Sequence, residues 1–139
     1  TMADSVNVTM LSMLPAHCVK ANGATGAATV NSHDTVSITV EMNARAYAGV
    51  PADWWVLLCA GSSWYYLDSS VQWTPFDGNI AHCAPAHQGA LLNLPATEVL
   101  TGSFAHGTYN LYFAVDCPRD GILNVDGSIW VDTVTVNVQ

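Results

Sequence analysis

The sequence predicts an all-β protein built as a single antiparallel β-sandwich, and three observations lead to this prediction. Several short segments alternate apolar and polar residues, which is typical of strands with one buried face. Turn signals rich in Gly, Asn, Asp and Pro separate these segments. The chain has 139 residues, which is enough for one domain with one ordinary core.

The alternation identifies the first predicted strands in chain order. Residues 5–11, SVNVTML, place Val6, Val8 and Met10 on one face and Ser5, Asn7 and Thr9 on the other. Residues 35–43, TVSITVEMN, repeat this pattern. Residues 53–59, DWWVLLC, are apolar on both faces, which predicts a central strand.

The second half of the chain continues in the same way. SSWYYLD at 62–68 and SVQWTPF at 70–76 are predicted to form a hairpin that turns near Asp68. Residues 108–116 and 130–138 alternate again. Short strands at this spacing in a chain of this length predict an immunoglobulin-like sandwich.

The chain is expected to fall into three parts. Residues 1–14 form an N-terminal β-strand, residues 15–33 a Gly/Ala-rich loop, and residues 34–139 the sandwich domain. Two arrangements of the N-terminal strand stay open. It either joins its own sheet or acts as an arm donated to a neighbouring molecule, as in strand-addition complexes.

The charge of the chain limits its partners. Only 10% of the residues are charged, and 11 acidic against 3 basic residues give a net charge of −8. Three scattered cations cannot form the basic footprint that nucleic acid requires. No apolar run reaches the ~20 residues of a membrane span. We expect an extracellular or cell-surface protein that packs against copies of itself or against surface glycans.

Four cysteines are predicted to form two disulfides in an oxidising compartment. Their spacing contains no CxxC motif, and three pairings of Cys18, Cys59, Cys83 and Cys117 stay open. His17, His82 and His87 lie near cysteines, so they are either ligands of a soft-metal site or ordinary loop residues around the two disulfides. The loop interpretation is preferred.

From Ala52 onward the order of landmarks ADWW, WYY, HQG, GTY, FAVD and DG resembles a bacterial extracellular β-sandwich module. The resemblance covers roughly the last 90 residues of the chain. It implies a β-sandwich outside the cell. No established activity comes with it, so it implies no chemistry.

The aspartates near the C-terminus raise the question of calcium, which takes six to eight oxygen ligands. The candidate ligands are Asp116, Asp120, Asn124, Asp126 and Asp132. Against this, Asp-Gly is a favoured dipeptide of tight turns, and the DCPRDG stretch matches an EF-hand loop poorly. Turns are the preferred interpretation, with calcium as the alternative.

Enzymatic activity is not expected, because the sequence has no nucleophile elbow and no apposed pair of carboxylates is evident. The aromatic residues could stack on sugar rings if they are exposed. The candidates are Trp54, Trp64, Tyr66 and Trp73, with core packing as the alternative.

Two functions follow from these observations. The first is a structural subunit of a self-assembling extracellular filament or surface coat, joined by donation of the strand that carries Val6, Val8 and Met10. The second is a carbohydrate- or surface-binding module that uses exposed aromatic side chains. The first is preferred.

Overall fold

The computed structural model describes residues 16–124 and 128–139. These residues form strands and two single-turn 3-10 segments, Arg45–Tyr47 and Ile80–His82, and they contain no α-helix. The strands are β1 Ala16–Ala21, β2 Gly26–Val30, β3 Val36–Asn43, β4 Pro51–Ala60, β5 Ser63–Leu67, β6 Trp73–Phe76, β7 His87–Ala90, β8 Leu94–Gly102, β9 Gly107–Cys117 and β10 Ser128–Val138.

Two sheets pack against each other, so the predicted β-sandwich is confirmed. The small sheet has the order β1-β3-β8, and the large sheet has the order β2-β10-β9-β4-β5-β6, with β7 paired to the first half of β4. The pairs are antiparallel except for β2 and β10, which are parallel. No helix among the described residues is long and apolar enough to cross a membrane.

The core lies between the sheets and follows from the alternation of the strands. On β3, the side chains of Val36, Ile38, Val40 and Met42 are buried while the residues between them are not. β10 contributes Val134, Val136 and Val138 in the same way. Burial of such side chains is the main favourable contribution to folding. The sequence pattern therefore identified these core faces correctly.

Two local predictions are confirmed by the pairing. β4 is a central strand, with β9 on one side and β5 and β7 on the other. β5 and β6 form the predicted hairpin, with Leu67 opposite Trp73. The carboxylate of Asp68 accepts hydrogen bonds from the main-chain N–H groups of Ser70 and Gln72 and thereby organises the turn.

The expectation of a loop over residues 15–33 is corrected, because this segment contains β1 and β2. The sequence gives little alternation here, since Ala and Gly dominate it, but main-chain pairing does not need large side chains. The first strand joins the small sheet, and after a turn the second joins the large sheet. The predicted strand that carries Val6, Val8 and Met10 lies outside the described residues.

The two predicted disulfides are also corrected, because Cys18, Cys59, Cys83 and Cys117 are unpaired in the structure. The register of the large sheet excludes one of the three pairings, the one that joins Cys59 to Cys117. Cys59 lies opposite Asn110 on β9, seven residues from Cys117, and seven strand residues span about 23 Å. A disulfide requires Cα atoms within about 7 Å.

Candidate functional site

Two aspartates are buried in the large sheet. Asp53 on β4 and Asp116 on β9 lie opposite each other in the large sheet, and both are fully buried. The neighbouring side chains Trp54 and Val115 belong to the core between the sheets. Since side chains alternate along a strand, the two aspartates face the outer side of the large sheet.

Asp53 connects three separate parts of the chain. Its Oδ1 accepts a hydrogen bond of 2.9 Å from the side chain of Gln88 on β7. Its Oδ2 accepts hydrogen bonds from the main-chain N–H groups of Asp120 at 3.2 Å and Gly121 at 2.7 Å. The carboxylate therefore holds the loop that follows β9 against the start of β4.

Asp116 holds the same loop at a second point. Its Oδ1 accepts a hydrogen bond of 2.6 Å from Nε1 of Trp55, an indole that is itself fully buried. Its Oδ2 accepts hydrogen bonds from the main-chain N–H and the side-chain amide of Asn124, at 2.9 and 3.3 Å. Burial raises the pKa of the Asp116 carboxyl, and the nearby charge of Asp53 adds to this.

A third carboxylate completes the group, which we call the aspartate cluster: Asp53, Asp116 and Asp120. One carboxylate oxygen of each lies within 4.8 Å of the others. Asp120 is exposed, and the side-chain amide of Asn124 donates to its Oδ2 at 3.0 Å. This hydrogen bond, with one from the main-chain N–H of Ile122, lowers the pKa of the Asp120 carboxyl.

The cluster includes two of the five residues predicted as calcium ligands, Asp116 and Asp120, and a third, Asn124, donates hydrogen bonds to both of them. Asp126 lies outside the described residues. Asp132 lies elsewhere: its Oδ2 accepts a hydrogen bond of 2.8 Å from the main-chain N–H of Val19 on β1. Asp53 was missed, although an acidic residue at the start of a fully apolar strand is an unusual pattern that could have drawn attention to it.

The hydrogen bonds indicate what the cluster does. Calcium takes six to eight oxygen ligands, whereas three carboxylates converge here. Each oxygen of Asp53 and Asp116 already accepts at least one hydrogen bond from the protein. Buried carboxylates with this many donors stabilise irregular main chain. The cluster therefore organises the loop over residues 118–124, and calcium at this place stays the alternative prediction.

An aromatic groove lies on the same outer face of the large sheet. It has a volume of about 220 Å³. Trp64 stacks on Tyr112 with the ring centroids 5.9 Å apart, and Phe76 meets the edge of Trp64 at 6.1 Å. A Cβ atom at Gly78 would lie 2.7 Å from the Trp64 ring, so glycine allows the loop to pack on the indole. The other residues that line the groove are Leu57, Ile80, Ala114, Leu123, Ile129 and Val131.

The structure separates the four residues that were proposed to stack on sugars. Trp64 and Tyr66 lie on the outer face and are half-buried, and Tyr66 contacts Phe76. The prediction for Trp54 is wrong, because its side chain is buried in the core beside Phe113. Trp73 packs against the core, and its Nε1 donates to the carbonyl of Val99 on β8 at 3.2 Å.

Strand edges are a further feature that a partner could use. β2 and β6 end the large sheet, and β1 and β8 end the small sheet. Unpaired edges offer main-chain N–H and C=O groups to another chain. Comparison with known proteins assigns no function to any of these features: no protein-family model matches the chain, and no curated protein matches it.

Proposed function

We propose that the protein is a structural subunit of an extracellular filament or surface coat, and that copies join by strand addition. In this proposal residues 5–13 of one molecule extend a sheet of the next. The partner is therefore another copy of the same chain. Strand addition supplies affinity through main-chain hydrogen bonds and specificity through alternate side chains.

The observation that carries the proposal is a sandwich with open edges joined to a strand-like segment. Each of the two sheets ends in strands without a second neighbour among residues 16–124 and 128–139. The segment before them alternates Val6, Val8 and Met10 with Ser5, Asn7 and Thr9. This is the pattern of a strand that covers a core with one face.

The amino-acid composition favours a protein that assembles over one that stays monomeric in solution. Only 10% of the residues are charged, against about 25% in typical soluble proteins. Charge keeps molecules apart in solution. A surface of Thr, Ser, Asn, Gly and Ala permits close packing between copies with little electrostatic repulsion.

The proposal includes an immunoglobulin-like sandwich, which two features support. The order β2-β10-β9-β4-β5-β6 against β1-β3-β8 corresponds to the variable-type arrangement, in which two extra strands extend one sheet. Near the start of β9, the hydroxyl of Tyr109 donates to the carbonyl of Ala105 at 2.7 Å. This is the geometry of the tyrosine corner of such domains.

The extracellular location is part of the proposal, and so is the relation to a bacterial surface module. With the four cysteines unpaired, the location depends on the low charge and on the landmarks from Ala52 onward. Burial raises the pKa of the Cys18, Cys83 and Cys117 thiols. These three side chains therefore stay protonated and weakly reactive at neutral pH.

The test compares two substitutions in the same segment. Val8→Asp places a charge on the apolar face, and Thr9→Asp places the same charge on the polar face. We expect the wild type and Thr9→Asp to form filaments visible by negative-stain electron microscopy. We expect Val8→Asp to elute as a folded monomer in size-exclusion chromatography.

Two results would contradict the proposal. A wild-type chain that stays monomeric at every concentration would exclude self-assembly. Filaments of Val8→Asp as abundant as those of the wild type would exclude strand donation by this segment. Circular dichroism of both variants controls for loss of the fold.

The aromatic groove favours a second candidate, a binding module on the outer face of the large sheet. Its apolar lining suits an apolar partner better than a sugar, because sugar recognition also needs hydrogen-bonding groups. In addition, Tyr112 already stacks on Trp64. A monomeric wild type whose tryptophan fluorescence responds to apolar ligands, but not to a panel of saccharides, would favour this candidate over the filament.

A further inference from the structure

The edges of the two sheets differ in how far they are protected against another chain. Natural proteins protect edges with short strands, prolines, charges and bulges. β6 and β7 have four residues each, and β6 contains Pro75. β8 contains exposed Pro95 and Glu98, and its register with β3 is irregular at two places.

The edge of β1 is protected in another way. β1 pairs with β3 on one side. On its other side the carboxylate of Asp132, from β10, accepts a hydrogen bond from the main-chain N–H of Val19 at 2.8 Å. This inward-pointing acidic side chain takes up a main-chain donor that an added strand would need.

β2 has none of these protections. Its sequence, GAATV, contains no proline and no charge. Its register with β10 is continuous over the whole strand. It therefore forms an uncharged edge that is five residues long. Its irregularity is confined to the start, where Gly26 has a φ of 78° and the N–H of Ala27 donates to the carbonyl of Thr25.

The register identifies the main-chain groups that are free on β2. Val30 lies opposite Val138, and its carbonyl accepts a hydrogen bond from the N–H of Gln139 at 2.9 Å. The N–H and C=O groups of one residue point to one side of a strand, and those of the next residue point to the other side. The N–H and C=O of Thr29 and the C=O of Ala27 are therefore directed away from β10, to the open side.

The side chains of β2 also leave room for a neighbour. Ala28 and Val30 pack against the core but stay partly exposed. Their spacing of two residues equals the spacing of Val6, Val8 and Met10. A strand placed beside β2 would continue the row of core side chains with larger ones.

From these observations, and building on the proposed function, we propose that β2 is the acceptor edge for residues 5–13 of a neighbouring copy. At least fifteen residues precede β1, and fifteen residues span about 50 Å when extended. The longest strands, with 11 residues, measure about 37 Å. The arm is thus long enough to reach beyond its own molecule.

The test uses two substitutions of Thr29 in the full chain. Thr29→Pro removes the N–H that faces the open side and removes no hydrogen bond to β10, so we expect the fold to be retained. Thr29→Ala keeps that N–H and serves as the matched control. We expect the alanine variant to assemble like the wild type. We expect the proline variant to leave at least tenfold less sedimentable material.

A second measurement does not depend on any variant. Hydrogen exchange followed by mass spectrometry compares residues 27–30 in the assembled and monomeric wild type. We expect the Thr29 amide to exchange at least tenfold more slowly after assembly. This readout decides the question even if Thr29→Pro fails to fold.

The outcomes separate this inference from the proposed function. Wild-type filaments in which the Thr29 amide exchanges as fast as in the monomer would place the acceptor at another edge and leave the proposed function intact. Slow exchange of this amide already in the isolated monomer would show pairing within one molecule and overturn the assignment to a neighbour. A wild type that never assembles would overturn both.

Discussion

Two parts of the large sheet differ in whether their main-chain groups are hydrogen-bonded. One is its loop end, where the aspartate cluster holds residues 118–124, and the other is its margin, the open edge formed by β2. At the loop end, Asp53 and Asp116 accept hydrogen bonds from three main-chain N–H groups of residues 120–124. At the margin, small uncharged side chains leave main-chain groups of β2 without a partner among the described residues. Polar side chains therefore concentrate where irregular main chain must be held in place. The strand at the margin stays available to a partner.

The largest expected effect on stability comes from removing hydrogen bonds to Asp53 at the loop end. Asp53→Asn keeps one acceptor oxygen and turns an amide NH₂ group toward N–H groups that previously donated to the carboxylate. Because buried hydrogen bonds to charged groups are strong and leaving them unmade is costly, we expect a loss of about 3 kcal/mol in the free energy of unfolding.

Urea denaturation at low protein concentration measures this loss. The control is Asp34→Asn, since Asp34 is exposed and accepts a 3.2 Å hydrogen bond from the N–H of Asn31. We expect the control to lose less than about 1 kcal/mol. An equal loss in both variants would contradict the role assigned to Asp53.

A smaller effect is expected where a side chain protects an edge. Asp132→Ala removes the acceptor of the Val19 N–H, and one such hydrogen bond contributes about 1 kcal/mol. The neighbouring residue Thr133 is exposed and on the opposite face, so Thr133→Ala serves as the control. Urea denaturation should show the loss only for Asp132→Ala. Faster hydrogen exchange at Val19 in that variant would locate the effect at the edge.

The smallest effect concerns the response to pH. Hydrogen bonds from the N–H groups of Gln72 and Ser70 lower the pKa of the Asp68 carboxyl. The stability that Asp68 contributes is therefore present above its unfolded pKa of about 3.9. It is lost as the pH falls through the lower pKa of the folded state. Asp77 and Asp120 act in the same direction.

The raised pKa of Asp116 has the opposite sign. Its contribution is present below the unfolded pKa and is lost as the pH rises through the folded pKa. We expect the free energy of unfolding to fall between about pH 5 and pH 2, where protonation of the three other aspartates dominates. The fall should be smaller in Asp68→Asn than in Ser70→Ala, which keeps the carboxylate and the main-chain donor. Equal slopes would contradict the role of Asp68.

Residue patterns alone were enough to predict the sandwich, its alternating core faces, the central strand and the β5–β6 hairpin. These features follow from side-chain periodicity and turn chemistry, which act within a few residues. Val36, Ile38 and Val40, for example, alternate in the sequence, and they are buried on one face in the structure.

Contacts between side chains that are distant in the sequence could not be predicted and are visible only in the folded structure. Trp55 and Asp116 are 61 residues apart, and their contact depends on the register between β4 and β9. The same register brings Asp53 into the aspartate cluster and keeps Cys59 far from Cys117. The division of residues 15–33 between two sheets also depends on neighbours, β3 and β10. Register is set by packing across the whole sandwich, so local sequence patterns do not predict it.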